Sequence, residues 1–494
     1  MDISTWIDRH AAFDGKRPAL YFNGTWTGYA GLRARILETA RFLKHERGIS
    51  RGDRVAFLGL NHPDMLALLF ACARLGAMLV PLNWRLAERE LAFVLGDSGA
   101  KVLLHTDAFA RTANALARPG LFVEPLDALR DTTGRDDSNP HVDLSCMLLL
   151  VYTSGTTGRP KGAVLRQDTI LWNALNSHHM HDLGSRDRVL TVLPMFHVGG
   201  LNIQTLPALY AGASVILHER FDAGATFDAI EELRPTLSVQ VPATMQALTS
   251  HARWAGADLS SLRMIACGSS VIPERLLRAF IKRGIPPVQV YGSTETGPVA
   301  VYQTTDTAMR KPGSTGREAL HCELRIVGAD GADVVPGAAG EVWLRGGNIM
   351  FEYWRQEAAT REALFEGWFR TGDIGRLDDE GDLWIVDRKK DVVISGGENI
   401  YPAEIELVLQ ESPRVREAAV IGRPDDRWGE VPVAFIVLAD RTTGEDEIRR
   451  VLADGLASFK HPREIHFVDE LPRNVMGKLQ KFMLRQRIDA GERG

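Results

Sequence analysis

Short runs of apolar, often branched residues recur along the first three quarters of the chain, at 54–58, 101–104, 147–152, 189–193, 213–217, 236–241, 263–266 and 287–291. They are continuous rather than alternating, and this pattern predicts strands buried on both faces. Between most of them apolar positions return at helical spacing, as in 29–46 and 273–282, so strands and helices alternate. That order predicts a layered α/β architecture with largely parallel sheets, in which function gathers beyond the carboxyl ends of the strands. The longest apolar stretch, 65–81, is broken by Arg74 and Gly76. It is too short to span a bilayer and predicts a buried helix running into a strand.

From about 313 the texture changes. Segments 322–327, 340–345 and 368–376 predict antiparallel strands, and Asp378-Asp-Glu-Gly-Asp382 predicts a turn before a strand at 383–387. The charged stretch Asp387-Arg-Lys-Lys-Asp391 then precedes a tail in which a helical segment at 403–410 alternates with strands at 415–421 and 431–438. The expected organisation is a large N-terminal domain over 1–389, including a small β subdomain at about 313–387, and a small α+β domain over 390–494. No repeat of the solenoid kind is present.

Composition narrows the function classes. At about 150 residues per domain the chain holds roughly three structural units. With 45% hydrophobic and 24% charged residues it has ordinary globular composition. The formal charge of -5 offers no general attraction to polyanions, so nucleic acid is not an expected partner. The opening residues show no basic segment followed by an apolar one, which predicts no signal peptide, no membrane anchor and a cytoplasmic location. Cys72, Cys146, Cys267 and Cys322 are far apart in apolar contexts, as reduced core thiols are. His178, His179 and His181 have no spaced acidic partner and read as a partly exposed helix end rather than a metal site.

The predicted strand 147–152 runs into Thr153-Ser-Gly-Thr-Thr-Gly-Arg-Pro-Lys-Gly162. Gly155 and Gly158 permit backbone conformations that turn N–H groups inward. The hydroxyls of Thr153, Ser154, Thr156 and Thr157 add donors, and Lys161 adds a mobile positive charge. Such a loop can wrap anionic oxygens. It is not a Walker A loop, because Pro160 precedes the lysine and Gly162 follows it.

This loop resembles the phosphate-binding loop of the adenylate-forming superfamily, which includes acyl- and aryl-CoA synthetases, luciferases and peptide-synthetase adenylation domains. Further motifs of that family follow in its order: Leu193-Pro-Met-Phe-His-Val-Gly-Gly200, Tyr291-Gly-Ser-Thr-Glu-Thr296, Thr371-Gly-Asp373, Asp387-Arg-Lys-Lys-Asp391, Ser395-Gly-Gly-Glu-Asn-Ile400 and Pro472-Arg-Asn-Val-Met-Gly-Lys478. Together they cover nearly the whole chain. The resemblance implies ATP, Mg2+ and CoA as reactants or cofactors, and it allows a homodimer. It implies a mobile C-terminal domain that rotates about Lys390 between two half-reactions.

Roles follow by resemblance at the matching positions. The loop 153–161 holds the β- and γ-phosphates, Glu295 and Thr156 hold magnesium, and Thr294 touches the α-phosphate. Tyr291 stacks on adenine beside Gly292 and the backbone of Gly268, Ser269 and Ser270. Asp373 accepts from the ribose hydroxyls, and Arg388 donates to ribose or phosphate. Lys478 bridges ATP and carboxylate oxygens during adenylation, while Ser395, Gly396 and Gly397 admit the pantetheine thiol. His197 is the gate between acid pocket and thiol tunnel, and the acyl pocket includes His197, Val198, Gly199, Val241 and Ser293. Where relatives often have Gly before the arginine of the hinge motif, this chain has Asp387, a variation expected to be tolerated and to bear on interdomain contacts.

Chemistry sets limits on the acid. Amino-acid-activating relatives carry an aspartate just before the His197 region, and malonate ligases an arginine before the Tyr-Gly motif. Here Met195-Phe-His197 and Val290 stand in those places. The expected acid is therefore a monocarboxylate with an aromatic, arylpropenoic or fatty body, with a succinylbenzoate-like acid still open. The expected activity is an ATP-dependent, AMP-forming carboxylic acid:CoA ligase working through an acyl-adenylate. Two alternatives are loading of a carrier-protein phosphopantetheine and a non-catalytic nucleotide-binding regulator.

Overall fold

In the computed structural model, residues 1–129, 135–153, 160–268, 272–395, 398–425, 427–440, 443–473 and 479–489 are described. The buried apolar runs build two large sheets. The first is ordered Glu352–Tyr353, Lys161–Arg166, Met147–Thr153, Met78–Pro81, Arg54–Leu58, Val102–His105, Phe122–Pro125. Its strands are parallel from Met147–Thr153 onward, and the two before it are antiparallel. The second is parallel from Pro287–Tyr291 through Met264–Cys267, Leu237–Gln240, Arg188–Thr191 and Ser214–Leu217 to Pro18–Phe22. Antiparallel strands close both of its edges. The expected parallel α/β architecture is thus present, with antiparallel edges that the apolar pattern does not reveal.

The stretch 65–81 is the expected buried helix and strand, Pro63–Leu75 and Met78–Pro81. His62 accepts from the Asp64 N–H at the helix start, Pro63 occupies the first turn, and Gly76 ends it at φ 71°. No helix among the described residues is long and apolar enough to cross a membrane. All four cysteines are free and buried. The histidine cluster differs from expectation. His178 and His179 are exposed at the end of helix Gln167–His181, but His181 is fully buried. Helical spacing places it on the inward face with Asn173, Ala174 and Ser177, where its Nδ1 meets the Ser177 carbonyl at 2.9 Å.

By its internal contacts the chain divides into two compact units, Met1–Leu324 with Leu344–Phe369, and Arg325–Trp343 with Arg370–Gly494. The division falls ahead of the boundary expected at 389/390. The hairpin Trp368–Leu377/Leu383–Arg388 lies largely in the second unit, where the Asp387 carboxylate accepts from the Ala403 N–H at 2.8 Å, at the start of helix Pro402–Glu411. The core of that unit gathers Val393, Ile405, Leu409, Val420 and Ile436 between this helix and the long hairpin Val415–Asp425/Gly429–Leu438.

Candidate active site

Met147–Thr153 and Lys161–Arg166 form an antiparallel pair in which Thr153 lies opposite Lys161. Thr153 Oγ1 donates to the Lys161 carbonyl at 3.4 Å. Of the expected site residues, Ser154, Gly155, Thr156, Thr157, Gly158, Ser269, Ser270, Gly396, Gly397 and Lys478 lie outside the described residues.

What the structure adds is a connection from this loop to Glu295. The short strand Glu352–Tyr353 pairs with Lys161–Arg166, with Tyr353 opposite Ala163. Two residues along a strand return to the same face, so Tyr353 and Lys161 are neighbours. The Lys161 Nζ lies 5.2 Å from the Tyr353 ring centroid. Tyr353 Oη donates to Glu295 Oε1 at 2.9 Å across 58 positions of sequence.

Glu295 is 9% exposed and sits in the single turn Thr294–Thr296 that follows strand Pro287–Tyr291. Among the described residues no lysine or arginine forms an ion pair with it. A buried carboxylate held by a hydroxyl, with no lysine or arginine paired to it among the described residues, is the kind of donor that suits magnesium. No group of three or more His, Cys, Asp or Glu able to hold a metal ion gathers among the described residues. With Thr156 as the expected second protein ligand, an ion at Glu295 would take phosphate oxygens and water, as magnesium commonly does.

The loop after Tyr291 is folded tightly. A Cβ on Gly292 would sit 1.9 Å from the Pro298 carbonyl oxygen, so only glycine fits. Buried asparagines hold the loop. Asn202 Nδ2 donates to the Gly297 carbonyl at 2.8 Å and Asn348 Nδ2 to the Thr296 carbonyl at 2.6 Å. Asn173 accepts from the Val299 N–H at 2.9 Å and donates to the Asn202 carbonyl at 2.7 Å. Thr294 is buried here, while Tyr291 and Ser293 are half-buried. On the neighbouring strand end, a Cβ on Gly268 would meet the Val290 carbonyl oxygen at 2.5 Å.

His197 caps the short helix Val198–Leu201, its Nδ1 accepting from the Gly199 N–H at 3.0 Å. A ring nitrogen that accepts carries no hydrogen, so this arrangement assigns the neutral Nε2–H tautomer. The turn ahead of it is fixed by Asn61, which accepts from the Met195 N–H at 2.7 Å and donates to the Leu193 and His218 carbonyls at 2.9 and 3.0 Å. Val198 and Met245 are buried, Gly199 is half-buried, and Val241 opens helix Pro242–Thr249.

In the second unit Asp373 and Arg388 face each other across the hairpin, with Arg388 Nε 2.7 Å from Asp373 Oδ1. The two residues expected to contact a nucleotide are therefore paired with each other. Lys390 is exposed in the turn Lys389–Asp391, and Ser395 ends the strand Val393–Ser395. Asp391 pairs with Arg485 at 2.7 Å, and Lys481 pairs with Glu406 at 2.7 Å. Burial alone would lower the Lys481 ammonium, but Glu406, Asp387 and Asp391 outweigh it and hold the group above its ordinary value. Arg473 and Leu479, which flank the Lys478 segment, are joined by an antiparallel bridge.

The sequence reading missed Tyr353, Asn61, Asn173 and Asn348. None carries a local signal, since each acts on a partner far away in the chain.

Comparison with known proteins gives the family. The AMP-binding enzyme family matches residues 7–354, and the AMP-binding enzyme C-terminal domain matches residues 404–478. The chain is 50% identical over 506 residues to a protein named indoleacetate–CoA ligase from Aromatoleum aromaticum, with 99% of this chain and 98% of the relative covered. It is 43% identical to a feruloyl-CoA synthase from an Amycolatopsis species, covering 98% and 99% of the two chains. The solved structure of o-succinylbenzoate CoA synthetase from Bacillus subtilis with its acyl-adenylate intermediate superposes with a TM-score of 0.90 at 32% identity, covering 97% of each chain. On these matches the chain belongs to the AMP-binding enzyme family, in its acyl- and aryl-CoA ligase branch.

Proposed function

We propose that this AMP-forming acid:CoA ligase acts on a monocarboxylic acid with a neutral aromatic body, of the arylalkanoic type. One observation carries the reading. Across 197–202, 241–245 and 293–298 the ionisable side chains are His197 and Glu295 alone. With Glu295 given to magnesium, nothing there pairs with a second carboxylate or an α-ammonium on the acid. The side chains there are instead apolar at Val198, Leu201, Val241 and Met245, and an aromatic ring packed in such surroundings gains about 25 cal/mol per Å² removed from water. The likeness to the protein named indoleacetate–CoA ligase supports the same class.

In this reading Lys161, steered by the Tyr353 ring, neutralises phosphate charge. Magnesium, when bound, neutralises more of it. Tyr353 keeps the Glu295 carboxylate in one orientation toward that ion. His197, neutral and tied to Gly199, stands beside the acid as a gate. Tyr291 stacks on the adenine. Asp373 and Arg388 serve the ribose and phosphate, and Lys478 stabilises the charge that develops as the acid's carboxylate attacks the α-phosphate and pyrophosphate leaves. Lys390 is the hinge between this step and thioester formation at 395–397. The protein works in the cytoplasm, and a homodimer would show in sedimentation.

The test is release of pyrophosphate and AMP from ATP over arylacetic, arylpropenoic, benzoic and aliphatic acids, each with and without CoA. Sustained release with CoA and arylalkanoic acids is expected. Faster turnover of aliphatic acids, or no release with any aryl acid, overturns the reading.

A further inference from the structure

Unpartnered polar atoms occur in two of the segments expected to line the acid pocket, 197–204 and 293–298. Asn202 is 0% exposed and Gln204 is 1% exposed. Asn202 Oδ1, both amide atoms of Gln204 and Ser293 Oγ are buried, and none has a hydrogen-bond partner among the described residues. Folded proteins pair nearly all buried polar atoms, so a group of this kind calls for a partner from outside the chain.

The Asn202 amide cannot exchange its two ends. Its Nδ2 donates to the Gly297 carbonyl at 2.8 Å, and a flipped amide would set two oxygens against each other. The idle atom is therefore the oxygen, an acceptor. Its place is defined from both sides. Asn202 closes the helix Val198–Leu201 that His197 opens, and it bonds the loop that carries Ser293 and Glu295. The acceptor lies between the gating histidine's helix and the glutamate's loop, within the region expected to hold the acid.

We infer that Asn202, with Gln204 two residues on, is the specificity element of the acid pocket, its Oδ1 accepting a hydrogen bond from an N–H or O–H on the substrate's ring. The inference rests on the arylalkanoic reading above and narrows it to acids whose ring carries a donor. A donor-free acid would strand the buried oxygen, and sites built to bond a substrate N–H or O–H discriminate strongly against analogues that lack it.

The test compares kcat/KM for indole-3-acetate with that for 1-benzothiophene-3-acetate and 1-methylindole-3-acetate, in which the ring N–H is replaced or blocked. The expected preference for the N–H acid is about 10- to 100-fold, the cost of leaving one buried polar group unpaired. Asn202→Val should bring that ratio toward one. A ratio measured within one preparation does not depend on how much of it is folded, so partial loss of stability leaves the readout intact. The comparison of the three acids on the wild-type protein needs no variant, so it decides the inference even if Asn202→Val is insoluble. Equal kcat/KM for all three acids in the wild-type protein would mean that a water serves the oxygen, and would overturn the inference while leaving the arylalkanoic reading standing. Absence of pyrophosphate release with every aryl acid would remove that reading itself.

Discussion

Replacing Tyr353 by Phe removes one oxygen and keeps the ring. The bond lost is that from the hydroxyl to Glu295 Oε1, 2.9 Å long, onto a carboxylate that is 9% exposed. Hydrogen bonds to charged groups contribute about 1.5–3 kcal/mol, and at this low exposure solvent screens little of it. If that energy orients the carboxylate toward magnesium, kcat/KM for ATP falls about 10- to 100-fold, and the magnesium concentration for half-maximal rate rises. The contact between Lys161 and the ring, at 5.2 Å, survives in Tyr353→Phe and is lost in Tyr353→Leu. A cation over an aromatic face contributes about 0.5–2 kcal/mol, so Leu should cost about a further 2- to 30-fold. Initial rates of pyrophosphate release, titrated with magnesium at fixed ATP, read both effects, and a thermal unfolding scan separates them from loss of fold. A Phe variant within twofold of wild type across the titration would show that Tyr353 does not hold Glu295 for the metal.

Three further outcomes are expected. Lys478→Ala should abolish acid-dependent pyrophosphate release yet spare thioester formation from supplied acyl-adenylate, and normal ATP-dependent activity would refute its role. Lys390→Pro should impair one half-reaction far more than the other when each is assayed alone; equal losses count against a hinge there. Burial takes the His181 imidazole from 6.5 down to about 4, so the folded chain keeps it neutral while the unfolded chain protonates it. Stability is then untouched above pH 6.5 and declines as pH falls toward 4, by at most about 1.4 kcal/mol per unit and about 3 kcal/mol in all. Urea denaturation midpoints from pH 7.5 to 5 should fall less steeply for His181→Gln than for wild type, and parallel profiles would contradict the assignment.

The sequence by itself determined the strand and helix order. Continuous apolar runs such as 54–58 and 263–266 are best buried in the middle of a sheet, and that is a local property of composition and period. It also determined the chemical alphabet of the site, because a glycine-rich loop, Tyr291-Gly-Ser-Thr-Glu-Thr296 and the charged stretch at 387–391 are contiguous. The hairpin Pro18–Phe22/Thr25–Gly28 escaped it, since both strands are short and only partly buried. Tertiary structure alone decided which side chains meet. Tyr353 reaches Glu295 because a two-residue strand adds to the edge at Lys161–Arg166, and Asn61 fixes the turn before His197 across 134 positions. His181 went inward because a helix face, rather than the neighbouring polar residues, set its burial. Such contacts depend on sheet register and helix phase summed over the whole chain, and no window of sequence carries that sum.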